Sequence, residues 1–173
     1  MIHPEAYLDF FVYEDGVTLI GVAQVTLPDI SFMSASLTGA GVGGTVETPL
    51  AGMLEAMTLT LSFKSVTDSA VDLASPKKHN LTIRAAGQDW DTVNVDKVIW
   101  ADKYEFVVFP KKMTGGTIAP AAQSDASGEY AVYYYAGYKD DEKRFEIDQF
   151  NQICIIDGVD HMAAVRKAMG RTS

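Results

Sequence analysis

The chain has 173 residues, 47% of them apolar and 21% charged, with one cysteine, a composition that excludes a disordered chain, a collagen, a coiled coil and a disulfide-rich scaffold. Its formal net charge is −9, and residues 1–63 contain seven acidic residues and no Lys or Arg, which argues against sequence-specific binding of nucleic acid. No run of 18 apolar residues and no secretory leader pattern occurs, so we expect neither stable membrane insertion nor a signal peptide.

The first part of the chain is predicted to be strand-rich. Residues 8–13 and 17–27 are expected to be strands joined by a turn at Asp15-Gly16, because glycine tolerates the positive φ of such a turn. A looser strand is expected over residues 30–37. The glycine-rich stretch that follows, about 38–52, is predicted to be a loop, and loops of that length in a compact domain usually have a function.

The rest of the chain is predicted to contain further strands and two short helices. The clearest strand alternation is at residues 57–63. Other strands are expected at 79–86, 92–100, 104–109, 129–138, 144–150 and 152–156. Helices are expected at 69–74 and about 159–169, with a loop at 111–128. Many short strands without βαβ alternation predict one domain over 1–173: a mainly β fold, an antiparallel β barrel or sandwich with one or two short α-helices.

No motif indicates a catalytic, cofactor or metal site. The stretch Gly39 to Gly44 matches G-x-G-x-x-G, but a dinucleotide fingerprint needs a helix directly after it, and Thr45 to Pro49 is not a helix start. The three histidines and Cys154 lack the spacing of zinc ligands. Cys154 lies in an apolar run and is interpreted as a core residue. We therefore expect no enzyme, no cofactor and no metal.

The acidic and tyrosine-rich stretches allow more than one interpretation. Paired acids such as Glu146 and Asp148 can bind calcium or hydrolyse glycosides, although a solvated strand face explains them more simply. Five tyrosines between Tyr130 and Tyr138 can stack on bases, yet base-stacking platforms come with basic grooves, and half-buried packing or an interface is simpler. The alternative function is a stand-alone β-sandwich module that binds carbohydrate or peptide through this strand.

Motifs at both ends of the chain resemble the major tail tube protein of contractile-tailed phages, a family that also supplies the tubes of R-type, phage-tail-like bacteriocins. The N-terminal motifs are residues 8–23, Val25 to Ile30, and the glycine-rich loop before residues 53–59. The C-terminal motifs are Tyr133-Tyr134-Tyr135, a charged hairpin, Phe145 to Asp148, Asn151, Ile156 to Asp160, and a short helix with Arg166 and Met169. The resemblance covers roughly residues 7–65 and 129–170.

The resemblance implies a fold and a function. Family members have a β barrel or sandwich with a flanking helix, similar to the tube of type VI secretion. Six copies form a ring whose inner strands join around a channel, and the rings stack into a tube inside a contractile sheath. The tube grows from a baseplate around a tape-measure protein, is driven through the target envelope on contraction, and in phages conducts DNA. The expected partners are further copies of the chain and the sheath, tape-measure, baseplate and tube-terminator proteins, in a virion or bacteriocin tail assembled in the producing cell's cytoplasm.

Two sets of residues are candidates for roles in such a tube. An acidic bore would repel DNA phosphates, and the stretch without Lys or Arg is where we expect part of that lining. The candidate lumen acids are Glu5, Asp9, Asp29, Glu47 and Glu55. The long loop is the candidate for reaching the adjacent ring, through Gly39, Gly41, Gly43, Gly44, Glu47 and Pro49. An acidic outer wall that docks a basic sheath segment is another use of the same charge.

Overall fold

The computed structural model describes residues 1–171, which form twelve β-strands and two short helices. The strands are β1 (Ile2–Glu14), β2 (Thr18–Ile20), β3 (Gln24–Thr26), β4 (Phe32–Leu37), β5 (Val46–Leu54), β6 (Met57–Phe63), β7 (His79–Asp91), β8 (Asp96–Thr114), β9 (Ala126–Lys139), β10 (Glu142–Asp148), β11 (Ile153–Ile156) and β12 (Val159–Asp160). The helices are α1 (Asp68–Leu73) and α2 (Ala163–Ala168). Neither is long and apolar enough to cross a membrane. The predicted mainly β fold is confirmed.

Ten of the strands form one antiparallel sheet that curls back on itself. Its order is β12-β11-β10-β9-β8-β7-β1-β2, and β9 also pairs with β6, which in turn pairs with β3. Only residues 21–23 separate β2 from β3, so a short connection links the two ends of the curled sheet. The remaining strands, β4 and β5, pair only with each other and form a separate hairpin.

Strand β9 joins the two halves of the sheet. Its first half pairs with β6 and its second half with β10, while β8 pairs along the other side of both halves. The register to β8 shifts at Tyr133, which is the extra residue of a bulge. The bulge reverses the alternation, because Tyr130 and Val132 are buried before it and Tyr135 is buried after it. One core face therefore continues across the whole strand.

The core is centred on β6. Met57, Leu59, Leu61 and Phe63 are all buried, as the alternation predicts, and each contributes on the order of 1.5–3 kcal/mol by leaving water. The other buried members of this cluster are Val12, Ile20, Ala70, Leu73, Leu81, Ile83, Phe106, Val108, Ala126, Tyr130, Val132, Tyr135 and Ile147. The core thus draws on both ends of the chain and on the middle, where no family motif is visible in the sequence.

Both predicted hairpin turns are present. Asp15 and Gly16 have φ of 50° and 73° in the turn between β1 and β2. Asp140 and Asp141 have φ of 49° and 64° in the two-residue turn between β9 and β10. Two consecutive positive φ values are what a type I′ turn requires, and Asp tolerates them better than most residues do.

Two predicted segments are shorter in the structure. The loop predicted over 38–52 ends at residue 45, because β5 begins at Val46 and pairs with β4. The helix predicted over 159–169 is reduced to α2, because its first two residues form strand β12 after the turn at Asp157-Gly158. Met162 from the predicted helical stripe is buried, but Met169 is 53% exposed.

Strand β8 was predicted as two strands, at 92–100 and 104–109. The structure has one strand of 19 residues, and it extends into the stretch predicted as a loop at 111–128. Polar Asp102 does not interrupt it, because tyrosine hydroxyls satisfy the carboxylate. Val95, although β-branched, lies in the turn before the strand with a φ of 56°.

Candidate assembly surfaces

A long edge of β1 has no partner strand within residues 1–171. β7 pairs with β1 from Ile2 to Glu14, but on the other side β2 covers only residues 12–14. Residues 2–11 therefore present free backbone N–H and C=O groups along one edge. Such an edge is a template for pairing with another chain, although Pro4 and two bulges make its N-terminal part irregular.

An aromatic cluster, formed by Trp100 and Tyr7, holds β7 and β8 together behind this edge. Trp100 lies directly across from Gly87, and a Cβ on Gly87 would sit 2.1 Å from Trp100 Cζ2. The indole Nε1 donates a 2.7 Å hydrogen bond to Asp89 Oδ1, and Asp89 is only 9% exposed. The ring of Tyr7 from β1 packs edge-on against Trp100, with 5.1 Å between the centroids. The cluster thus joins β1, which carries the free edge, to the two strands behind it, β7 and β8.

The buried carboxylate of Asp102, next to this aromatic cluster, forms a second connection between β1 and β8. Asp102 Oδ2 accepts hydrogen bonds from the hydroxyls of Tyr7, at 2.8 Å, and of Tyr104, at 3.0 Å. Burial, together with the nearby Asp102 charge, raises the pKa of the Tyr104 hydroxyl, so it remains protonated and donating throughout the physiological range. The contact fixes the position of β1 in the middle of its free edge, at Tyr7.

The β4–β5 hairpin is a second surface that lacks a partner. The large apolar side chains on it and in its connecting loop are exposed by 38–51%: Phe32, Met33, Leu37, Val42, Val46, Leu50 and Met53. An isolated two-stranded hairpin is marginally stable in water. Apolar side chains of this size on both of its strands therefore indicate a surface that another protein chain covers.

The structure does not bring the five candidate lumen acids into one cluster. All five are exposed, but Glu47 and Glu55 lie at opposite ends of the hairpin, because Glu47 pairs with Ser36 and Glu55 N–H donates to Ser31 O, positions about 17 Å apart at the usual rise of a strand. Glu5 is 3.7 Å from Lys97 Nζ and accepts a hydrogen bond from Gln88. A stretch without basic residues in sequence is thus partly neutralised in space, because β8, which lies on the far side of β7, supplies a lysine.

The candidate loop residues lie at the tip and along one strand of the hairpin. Gly39, Gly41, Gly43 and Gly44 are in the tip, residues 38–45, and all are exposed. Glu47 and Pro49, also candidates, belong to β5 and pair with β4. Since β5 follows directly, no helix N-terminus is available for a phosphate, and the G-x-G-x-x-G match is not a dinucleotide fingerprint.

The C-terminal helix is attached to the sheet by an ion pair. Arg166 Nη2 lies 2.5 Å from Asp160 Oδ2, and Arg166 Nη1 donates a 2.6 Å hydrogen bond to the backbone oxygen of Gln152. This hydrogen-bonded arginine lowers the pKa of Asp160. The sequence from His161 to Arg171 contains three Lys or Arg residues and no acidic one, but Arg166 is paired with Asp160, which leaves Lys167 as the exposed basic residue of α2.

The tyrosine-rich strand is built into the fold. Tyr130 and Tyr135 are buried, and Tyr135 stacks on Phe106 with 4.6 Å between ring centroids. Burial raises the pKa of Tyr130 to about 12. Tyr134 is partly buried and donates to Glu146 Oε1 at 3.0 Å. The acid at 146, a possible calcium ligand by sequence, instead orders this strand pair.

The titratable residues outside these surfaces are structural. His79 is buried, with Nδ1 2.5 Å from Glu14 Oε1 and Nε2 3.1 Å from the backbone oxygen of Ser75. Cys154 is buried as predicted, and burial raises the pKa of its thiol. Within residues 1–171, no three His, Cys, Asp or Glu side chains lie close enough to hold a metal ion.

Comparison with known proteins identifies the family. The family model described as phage tail tube protein FII matches residues 4–170. The chain belongs to this family. It is a tail tube protein, a structural subunit of the tube. The resemblance found from residues 7–65 and 129–170 is confirmed, and the match also spans the middle of the chain.

Two solved structures are similar to this tail tube protein. One, from the sheath/tube terminator of an extracellular contractile injection system, PVC, in the extended state, has a TM-score of 0.53 and 16% identity over 79% of this chain and 97% of that chain. The other, from the PVC sheath–tube complex in the extended state, has a TM-score of 0.49 and 18% identity over 75% of this chain and 87% of that chain. At such identity the first of these indicates a shared fold. Among curated proteins, none matches this chain.

Sequence reasoning missed the most informative parts of these surfaces. It did not find the free edge of β1, which depends on β2 being only three residues long. The aromatic cluster was also missed. Its sequence signal is a glycine and a tryptophan thirteen residues apart, which face each other when the two strands between them form a hairpin. The exposed apolar side chains of β4 and β5 were not anticipated either, and in a tail tube protein their exposure points to contacts between chains.

Proposed function

We propose that this tail tube protein assembles into rings of six that stack into the hollow inner tube of a contractile tail. The sheath is then its outer partner, the terminator closes the tube, and growth starts at a baseplate around a tape-measure protein. The subunit acts structurally, without a catalytic step. Contraction drives the tube through the target envelope, in a phage or in a bacteriocin particle assembled in the cytoplasm of the producing cell. Membership of the tail tube family and the shared fold support this proposal.

The observation that carries the proposal is the pair of surfaces left open by the chain. Within residues 1–171 no strand pairs with the free side of β1 along residues 2–11, and the β4–β5 hairpin exposes seven large apolar side chains. Pairing an edge with a neighbouring copy satisfies its backbone groups, and closure into a ring leaves no edge exposed. An ordinary monomer would cover or blunt both surfaces.

The bore of the tube is proposed to be lined in part by Glu5, Asp9, Asp29, Glu47 and Glu55. Their exposure in the single chain is compatible with that role. A negative lining repels DNA phosphates, so that a genome slides through without adhering. In a particle without DNA the same charge keeps the channel hydrated.

Sedimentation velocity and native mass spectrometry across a concentration series test the proposal. We expect a species of six times the monomer mass that gives way to long particles as the concentration rises. Addition of baseplate seeds is expected to lower the concentration at which long particles form. A monomer at every concentration, with and without seeds, would contradict the proposed ring and favour a binding module.

A further inference from the structure

A cleft opens in the wall of the curled sheet between β1 and β3. Within residues 1–171, β3 pairs only with β6, and no strand pairs with the free side of β1 along residues 2–11, so the two strands leave a gap. The cleft has a volume of about 270 Å³, and its lining includes Phe10, Val25, Leu27, Ile83 and Tyr104. An apolar cavity of about 150 Å³ is large enough for benzene, so this cleft has room for a branched aliphatic side chain.

The cleft is accessible from outside the chain and favours an apolar occupant. Tyr7 and Gln24 line its mouth and are exposed, whereas Ile83 at its floor is buried. The two tyrosine hydroxyls near it, of Tyr7 and Tyr104, already donate to Asp102. A side chain that enters the cleft therefore meets apolar surface and does not need to replace a hydrogen bond.

The loop between β8 and β9, residues 115–125, carries the most exposed large apolar side chain in residues 1–171. Ile118 is 98% exposed, so no part of its own chain covers it and its own cleft does not receive it. No charged residue occurs between Met113 and Ser124. Removal of an isoleucine side chain from water contributes on the order of 1.5–3 kcal/mol. The loop thus offers an apolar group that a second chain can bury.

Hydrogen bonds hold the base of this loop in place. Thr117 N–H donates to Ser124 O at 2.7 Å, and Ser124 N–H donates to Lys64 O at 2.9 Å, which ties the loop to the residue after β6. Gly116 has a φ of 72°, and a Cβ there would lie 1.7 Å from Ser124 O, so the close approach requires glycine. Pro120 adds a fixed φ. A side chain on a preorganised loop loses less entropy on binding.

The charges beside the loop and beside the cleft are opposite. Lys64 and Lys112 lie next to the loop, at the end of β6 and near the end of β8. Asp9 and Asp29 lie within two residues of side chains that line the cleft. All four are exposed, and none of them forms an ion pair within residues 1–171. Opposite charges on two surfaces speed their association and disfavour other orientations.

We propose that the cleft between β1 and β3 receives Ile118 from the β8–β9 loop of a second copy. The two lysines of that copy then face the two acids beside the cleft. Loop and cleft are different surfaces of one chain, so the contact is heterologous and repeats from copy to copy until a ring closes. The cleft adjoins the free edge of β1, so strand pairing and side-chain insertion belong to one interface. This inference rests on the proposed function, because it names a side-chain contact between neighbours within a ring.

Cross-linking of a double-cysteine variant tests the contact and its place in the assembly. Ile118→Cys puts a thiol on the loop, and Ala23→Cys puts one at the cleft, where Ala23 is exposed. Cys154 is 1% exposed and does not compete. The matched control combines Ala23→Cys with Val93→Cys, which places the thiol in the turn between β7 and β8 at a residue that is 75% exposed.

We expect a short bifunctional maleimide to link assembled I118C/A23C protein into a ladder of bands that ends at six copies. A mixture of the two single variants should give dimers only, because each copy then has one reactive thiol, and the V93C/A23C control should stay monomeric. A ladder that continues beyond six copies would overturn the placement within a ring. Normal tubes without a ladder would overturn the contact and leave the tube function intact. Failure of the unmodified protein to form rings or tubes would overturn both.

A serine substitution measures the contribution of Ile118. Ile118→Ser changes only an exposed side chain, so the monomer should melt at the same temperature. The protein concentration needed for rings in sedimentation velocity should rise about tenfold or more. Ile118→Val retains a branched apolar side chain, and the control Val93→Ser removes an exposed one elsewhere, so both should assemble like the unmodified protein. Equal ring formation by I118S and the unmodified protein would show that Ile118 stays in water, which overturns the proposal.

Discussion

Replacement of Trp100 by Phe should destabilise the fold through the carboxylate that it leaves behind. Phe retains a ring over Gly87 and against Tyr7, but it removes the 2.7 Å hydrogen bond to Asp89. Asp89 is 9% exposed and accepts no other hydrogen bond from a side chain in residues 1–171. The loss of a donor to a buried charged acceptor costs about 1–3 kcal/mol.

The assay is thermal and urea unfolding followed by circular dichroism. A loss of about 2 kcal/mol corresponds to a melting temperature lower by about 4–8 °C for a chain of this size. The double variant Trp100→Phe/Asp89→Leu removes both partners and should recover most of this stability, because neither group is then left unsatisfied. Equal stability of W100F and the unmodified protein, or a double variant less stable than W100F, would refute the reasoning.

Three further changes test other contacts. Asp160→Asn weakens the ion pair with Arg166 and should cost about 1 kcal/mol of stability at pH 7. Because the pKa of Asp160 in the folded protein is lowered from 3.8, this contribution is present above pH 3.8 and is lost as the pH falls through the folded pKa. The melting temperatures of the two proteins should therefore converge at low pH, and a difference that does not change with pH would contradict the ion pair. Gly137→Val places a Cβ 2.3 Å from Phe145 Cε1 and should destabilise by about 1–3 kcal/mol in urea unfolding, whereas an unchanged midpoint would show that Phe145 moves freely. Cys154 should react with a thiol reagent only after unfolding, because burial raises its pKa, and rapid labelling of the native protein would disagree with a core position.

Much of the strand framework could be predicted because local patterns and the fold agree. The alternation of β6 is visible in sequence, since apolar residues at every second position have one buried face. The turn at Asp15-Gly16 was predicted because glycine tolerates positive φ, and the second turn was predicted from the charged residues between two strand patterns. The β9–β10 hairpin and the separate short strand β11 were also predicted in order.

The errors arise where tertiary contacts override local preference. Asp102 looks like the end of a strand, but two tyrosine hydroxyls from β1 and from β8 itself satisfy it inside the sheet. The valine at position 95 has a high strand propensity, yet it sits in a turn and is 70% exposed. The bulge at Tyr133 lies where the partner of β9 changes from β6 to β10, and no local pattern encodes that change.

The candidate surfaces were only partly predictable because they depend on chains that the sequence does not contain. Glycines at residues 39–44 suggested a contact with the adjacent ring; the structure places them at an exposed tip, and the contact itself stays a prediction. The acids were grouped by the absence of nearby bases in sequence, but Lys97 approaches Glu5 from another strand.

Cryo-electron microscopy of particles grown from the purified protein tests the central claim most directly. We predict hollow tubes built from six-fold rings, with the β1 edge paired to a neighbouring copy and the β4–β5 hairpin buried between copies. Particles without a bore, or tubes in which the hairpin from Phe32 to Leu54 projects into solvent and residues 2–11 stay unpaired, would contradict the account.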